Sequence, residues 1–134
     1  MELTVEGFVA QSAEAPGPSR SLKFRRPVDL VELARYTLGN RSHEREVLEL
    51  FCTQSGCCLK RLEATTSDSE WQKVARTIKG SARCIGAWSV VETAAAAEAL
   101  EGAVLAARRS EIVETLAQEI GKTNAFIRRL LIDA

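Results

Sequence analysis

Histidine and aromatic residues are scarce in this chain. A single histidine, His43, stands among 134 residues, so histidine-ligated metal sites and Ser-His or Cys-His couples have nothing to build on. Aromatic residues make up 5% of the chain against 46% apolar residues, with Ala and Leu dominant. That balance suits a helical bundle better than a sheet, whose strands favour aromatic and β-branched side chains. An excess of one charge is also lacking. Eighteen basic and eighteen acidic residues cancel, so no global field points to nucleic acid or membrane as a partner. No apolar run approaches the about 18 residues of a membrane span. The first residues lack the basic-then-apolar pattern of a secretory signal, and the expected location is the cytoplasm. There is no phosphate-binding glycine loop, no internal repeat, and no low-complexity tract beyond Ala94-Ala95-Ala96-Ala97. Four cysteines, Cys52, Cys57, Cys58 and Cys84, match no zinc spacing, and vicinal Cys57 and Cys58 do not readily bridge inside a helix. They read as buried reduced thiols. No cofactor, metal or enzymatic activity is expected.

What is present is one domain's worth of helix signals, in a chain long enough to build a core without metal or disulfide help. Residues 1–26 read as a flexible arm, since Ala13-Glu14-Ala15-Pro16-Gly17-Pro18-Ser19 is turn-forming and poor in apolar residues. Leu3, Val5, Phe8 and Val9 are apolar enough for a short strand or for packing on the domain. From Pro27 on, capping boxes recur at Asp29 with Glu32, Ser67 with Glu70 and Ser89 with Glu92, and Ser42 and Ser110 read as N-caps. Five caps predict five helices: about Asp29 to Leu38, Ser42 to Ala64, Ser67 to Ile85, one from Ser89, and Ser110 to Ile132. The fourth should turn Val90, Val91, Ala94, Ala97, Leu100 and Val104 inward. Short connections make neighbours antiparallel. The expected fold is all-α, an up-down four-helix bundle over residues 27–134 with an additional short N-terminal helix.

The third of these helices organises the chain. Trp71, Val74, Ile78, Ala82 and Ile85 recur at helical spacing and form an apolar stripe. Lys73, Arg76, Gly80 and Arg83 repeat on the other side with Lys79 at the edge. No acidic residue falls between Trp71 and Gly86. A glycine on an exposed helical face costs about 1 kcal/mol relative to alanine. Gly80 among cations therefore suggests that an acidic surface approaches the backbone there.

These residues also carry a resemblance. Ala75-Arg76-Thr77-Ile78-Lys79-Gly80-Ser81-Ala82, followed by Ile85-Gly86-Ala87, resembles the signature of histidine-containing phosphotransfer (HPt) domains. That signature reads Ala-His-x-Leu-Lys-Gly-Ser/Ala, with Gly-Ala a few residues on. Lys79, Gly80 and Ser81 match and Ile78 replaces Leu, but Arg76 stands where the family has its phospho-accepting histidine. The resemblance extends from about Pro27 to the C-terminus. It implies the scaffold of a phosphorelay carrier in two-component signal transduction, without the reactive group. Guanidinium stays protonated, with a pKa above about 12, and has no lone pair to attack phosphorus. Receiver domains, the usual partners of the family, present an acidic pocket that Arg76 would enter as a fixed cation. Lys79 would add attraction and Gly80 would leave the approach open.

The expectation is thus a non-phosphorylated competitor or adaptor, monomeric, that binds a response-regulator receiver domain or a histidine kinase through Lys73, Arg76, Thr77, Lys79, Gly80 and Arg83. A plainer reading is that these cations only solvate one helix face. Two alternatives come from other classes. One is a working phosphotransfer protein, with an unconventional acceptor such as His43 or with Arg76 in place of a native histidine. The other is a helical scaffold or oligomerisation module, favoured if Val31 and Phe126 share an exposed apolar patch. Cys84, beside Arg83, is a candidate redox-sensitive thiol, and Trp88 reads as a core or staple residue.

Overall fold

A computed structural model describes residues 26–133, so the expected arm lies outside the described residues except for Arg26. The described part holds five α-helices and no strand: α1 (Leu30–Thr37), α2 (Arg41–Ala64), α3 (Asp68–Cys84), α4 (Trp88–Glu98) and α5 (Gly102–Asp133). Helices α2 to α5 form an up-down antiparallel bundle in which α3 packs on α2 and α4, and α5 closes the ring against α4 and α2. The short α1 lies across α2 and α3.

Local chemistry sets most boundaries. Asp29 accepts the backbone N–H groups of Val31 and Glu32, starting α1, and Ser67 accepts that of Glu70, starting α3. Three expected starts move. Asn40, not Ser42, caps α2 by accepting the His43 N–H at 2.9 Å. Helix α4 begins one residue early, at Trp88 after Ala87, with no side-chain cap from Ser89. The largest correction is at α5, which starts at Gly102 rather than Ser110 and runs unbroken through it. The break falls at Gly102, whose φ of 61° is in the left-handed region that favours glycine. Asp68, at the first position of α3, reaches across to accept the Gly102 N–H at 2.8 Å. Val104, expected on the buried side of the fourth helix, therefore belongs to α5 and is 55% exposed.

The core is the stripe read from the sequence. Trp71, Val74, Ile78, Ala82 and Ile85 are all buried, facing Leu48, Phe51 and Leu62 of α2, Val90, Ala94 and Ala97 of α4, and Leu116, Ile120 and Ile127 of α5. The small residues of α4 bring it close to α3, and the Trp71 indole N–H donates to the Ala97 carbonyl at 2.7 Å. Arg109 lies 5.1 Å over the Trp71 ring. Its guanidinium donates to the carbonyls of Leu62, Glu63 and Thr65, satisfying the C-terminal end of α2.

The cysteines need a partial correction. All four are free, and Cys58 is buried with Cys52 and Cys84 half-buried, but Cys57 is exposed. Helical geometry turns vicinal residues to different faces, so only one of the pair can point inward.

Candidate functional site: the cationic face of α3

The face opposite the Trp71 stripe lies where the helical period places it. Lys73, Arg76, Thr77 and Gly80 are exposed, while Lys79 and Arg83 are half-buried. One helix thus brings all six expected residues together, and flanking hydrogen bonds fix both of its ends. At the start, the Ser67 cap and the Glu70 side chain, which accepts the Thr66 N–H, seal the first turn. At the end, Gly86 adopts φ 68° and its carbonyl accepts the Asp29 N–H at 3.1 Å. The Trp88 indole N–H then donates to the Asp29 carboxylate at 3.2 Å. Trp88 is the staple that holds α1 to the α3–α4 turn.

Gly80 has a different setting. A side chain built at Gly80 would meet nothing within 4 Å, and its φ is helical. Neither packing nor backbone strain requires glycine there.

Sequence spacing did not reveal the acid that faces these cations. Glu98, the last residue of α4, accepts from Arg76 Nε at 2.9 Å and from Lys79 Nζ at 2.6 Å. Its side chain is 19% exposed, against 25% for Lys79 and 64% for Arg76. The hydrogen bond from Lys79, then that from Arg76, holds the Glu98 carboxyl below its ordinary range against an opposing effect of burial. A carboxylate at a helix C-terminus meets the negative end of the helix dipole, so the two cations also offset an unfavourable placement. A signal for this contact exists in the sequence. Arg76 lies ten residues before Gly86 and Glu98 twelve after it, and an antiparallel hairpin turning at Gly86 brings such positions side by side.

The arrangement can hold an acidic partner but cannot accept a phosphoryl group through Arg76. Two cations against one carboxylate leave a net positive charge at the centre of the face. Arg76 engages Glu98 through Nε, the inner nitrogen, and remains largely in solvent. Lys73 adds charge one turn earlier and, with Arg61 and Glu70, lines a groove of about 340 Å³ at that end of α3. Thr77 is tied to its own helix, its hydroxyl donating to the Lys73 carbonyl at 3.1 Å.

The secondary candidates fare less well. His43 is exposed in the first turn of α2, its ring 6.4 Å from that of Tyr36. Tyr36 in turn sits beside Cys84, where α3 ends. Cys84 is not an activated thiol. Burial pushes it up from its ordinary value, outweighing the hydrogen bond from Tyr36 and the charge of Arg83. It lines a shallow hollow of about 170 Å³ with Ser81, Tyr36 and Leu50. Val31 is exposed, but Phe126 is partly buried and packs against the core, so they form no common patch of exposed side chains. No described helix is long and apolar enough to cross a membrane. No described group of His, Cys, Asp and Glu residues has the makings of a metal site.

A family model described as the Hpt domain matches residues 46–126, more than half of the chain, spanning most of α2, all of α3 and α4, and most of α5. Neither a curated protein nor a solved structure matches it.

Proposed function

The chain belongs to the Hpt domain family, whose members serve phosphotransfer in two-component signalling, and from that premise we propose that it binds a receiver domain or a histidine kinase without accepting a phosphoryl group. It acts there as a competitor or adaptor. The observation that carries this reading is Gly80. It costs helix stability on an exposed face and no packing contact or backbone strain requires it, yet it sits between Arg76 and Arg83 in a surface whose signature is otherwise intact. A backbone kept bare between cations suits a macromolecular acidic surface, which needs both close approach and charge. Arg76 supplies a fixed donor fork for carboxylates.

The test is a titration of the full chain against the receiver domains and kinases of the same organism, run beside a phosphotransfer assay. Wild-type protein should bind one of them and stay unlabelled. Arg76→Glu should weaken binding by more than the about 2–4 kcal/mol expected from losing one partner of the charged pair, since like charges would meet in the contact. Gly80→Gln should weaken it by steric block while leaving thermal stability intact. Acid-labile, base-stable label on the wild-type chain would overturn the reading in favour of phosphotransfer at His43. Unchanged affinities in both variants would remove this face as the docking surface.

A further inference from the structure

We propose that the segment Leu3–Val9, outside the described residues, docks in the groove between α1, the start of α2 and the end of α5, so that the domain carries its own ligand for that site. The groove follows from the packing. Helix α1 lies on α2 and α3, whereas α5 lies on α2 and α4, which leaves a gap over the first turns of α2. Leu33 and Leu48, both buried, form its floor. Leu30, Leu130 and Leu131 form its walls, and it encloses about 650 Å³, nearly twice the 340 Å³ of the groove beside Lys73. It shares no residue with the cationic face of α3.

The polar rim selects among occupants. Arg41, Glu44 and Arg45 stand there. Glu44 accepts from the Thr37 hydroxyl at 3.5 Å and Arg45 pairs with Glu49 at 3.4 Å, while Arg41 meets no carboxylate among the described residues. A cation at the first position of α2 opposes the helix dipole, so the helix itself does not call for Arg41. Residues 1–19 hold Glu2, Glu6 and Glu14 and no basic residue, and Glu2 and Glu6 stand among the apolar Leu3, Val5 and Phe8. The other large apolar residues ahead of α1, Leu22 and Phe24, lie among Arg20, Lys23, Arg25 and Arg26, which the rim repels. A second copy seated symmetrically would set one arginine rim against the other.

The connection has the necessary reach. Residues 10–27 separate Val9 from Val28, which is buried just ahead of α1, and Leu30 at the groove's edge follows two residues later. A coil of that length spans about 23 Å, whereas α1 is about 12 Å long. Attachment at such a distance gives an effective concentration in the millimolar range. Burying Leu3, Val5 and Phe8 against leucine side chains is then enough to keep the groove filled.

Nuclear magnetic resonance on the full chain tests this. In the wild type, the Phe8 ring should show Overhauser contacts to the methyl groups of Leu30, Leu130 and Leu131. Phe8→Asp should abolish them. It should also quicken hydrogen exchange of the Leu33 amide, which donates to the Asp29 carbonyl at 3.0 Å, by about tenfold, since a filled groove holds α1 closed. Position 41 offers a change that spares the fold, because glutamate there suits the helix dipole. Arg41→Glu and Glu6→Arg should each quicken the same exchange, and the two together should slow it again. Contacts from Phe24 in place of Phe8 would overturn the proposal. So would contacts that a mixture of labelled and unlabelled chains shows to run between molecules, or Leu33 exchange indifferent to Phe8→Asp and to both charge reversals. None of these readouts involves a receiver or a kinase, so this proposal and the docking of α3 fail separately.

Discussion

Gly80 and Gly86 lie six residues apart in one signature and are glycine for opposite reasons. Gly86 is buried at the α3–α4 turn with φ 68°. A side chain there would strike the Cβ of Asp29 and come within about 3.0 Å of its backbone nitrogen. That glycine serves the fold: it reverses the chain, lets α1 dock, and carries the carbonyl that accepts from Asp29. Gly80 has a helical backbone and open space around it, so the fold would accept almost any side chain in its place. A residue the fold requires marks architecture; Gly80 is not required, a property it shares with Gly56 of α2 and Gly121 of α5, and what sets it apart is its place among the cations of α3.

The sharpest way to break this comparison is to substitute alanine at each position. Gly86→Ala forces a left-handed conformation on a residue with a β-carbon, which costs about 1–2 kcal/mol. The collision with Asp29 adds to that, for a total destabilisation of about 3 kcal/mol or more. The denaturation midpoint should fall accordingly. Because the clash falls on the Asp29 junction, protection of α1 amides against exchange should be lost before that of α3. Gly80→Ala should do the reverse and stabilise the chain by about 0.5–1 kcal/mol, the helix-propensity difference at an exposed site. A loss of stability at Gly80 comparable to that at Gly86 would mean that the fold does need it, and the inference to a docking surface would lapse.

The division between architecture and surface also governs how much could be read in advance. The buried stripe from Trp71 to Ile85 was legible because period and chemistry coincide within one helix. So was the cationic face, its complement at the same period. The α4–α5 boundary was not. Ser110 followed by Glu111 is a good start signal, but it falls inside a long helix, where the tertiary bond from the Gly102 N–H to the Asp68 carboxylate and the left-handed Gly102 decide the break earlier. Glu98 escaped for a related reason. Within its own helix it is the second of two acids, separated from Glu92 by an alanine run, and its meaning comes only from the two cations on α3. Spacing reveals faces, whereas pairing between faces needs the hairpin register.

That pairing yields the smallest of the expected effects and the finest test of how the face is built. Glu98 has a carboxyl held below its ordinary value of 4.5. The unfolded chain therefore binds more protons than the folded one between the two values. The sign follows: the contribution is fully present above about pH 4.5 and is lost as pH falls through the lower folded value. Arg76 is mostly in solvent and Lys79 only one-quarter exposed, so screening keeps the neutral-pH contribution of the pair within about 1 kcal/mol. Stability between pH 3 and pH 6 should thus fall less steeply in Glu98→Gln than in the wild-type chain. The two cations should also separate. The hydrogen bond from Lys79 is the larger cause of the lowered value, and it is the shorter and more sheltered of the two. A carboxyl-carbon titration should therefore show Glu98 moving up further in Lys79→Ala than in Arg76→Ala. The opposite order would mean that Arg76 is held in the fold more firmly than Lys79, and so is less available to a partner than its exposure implies.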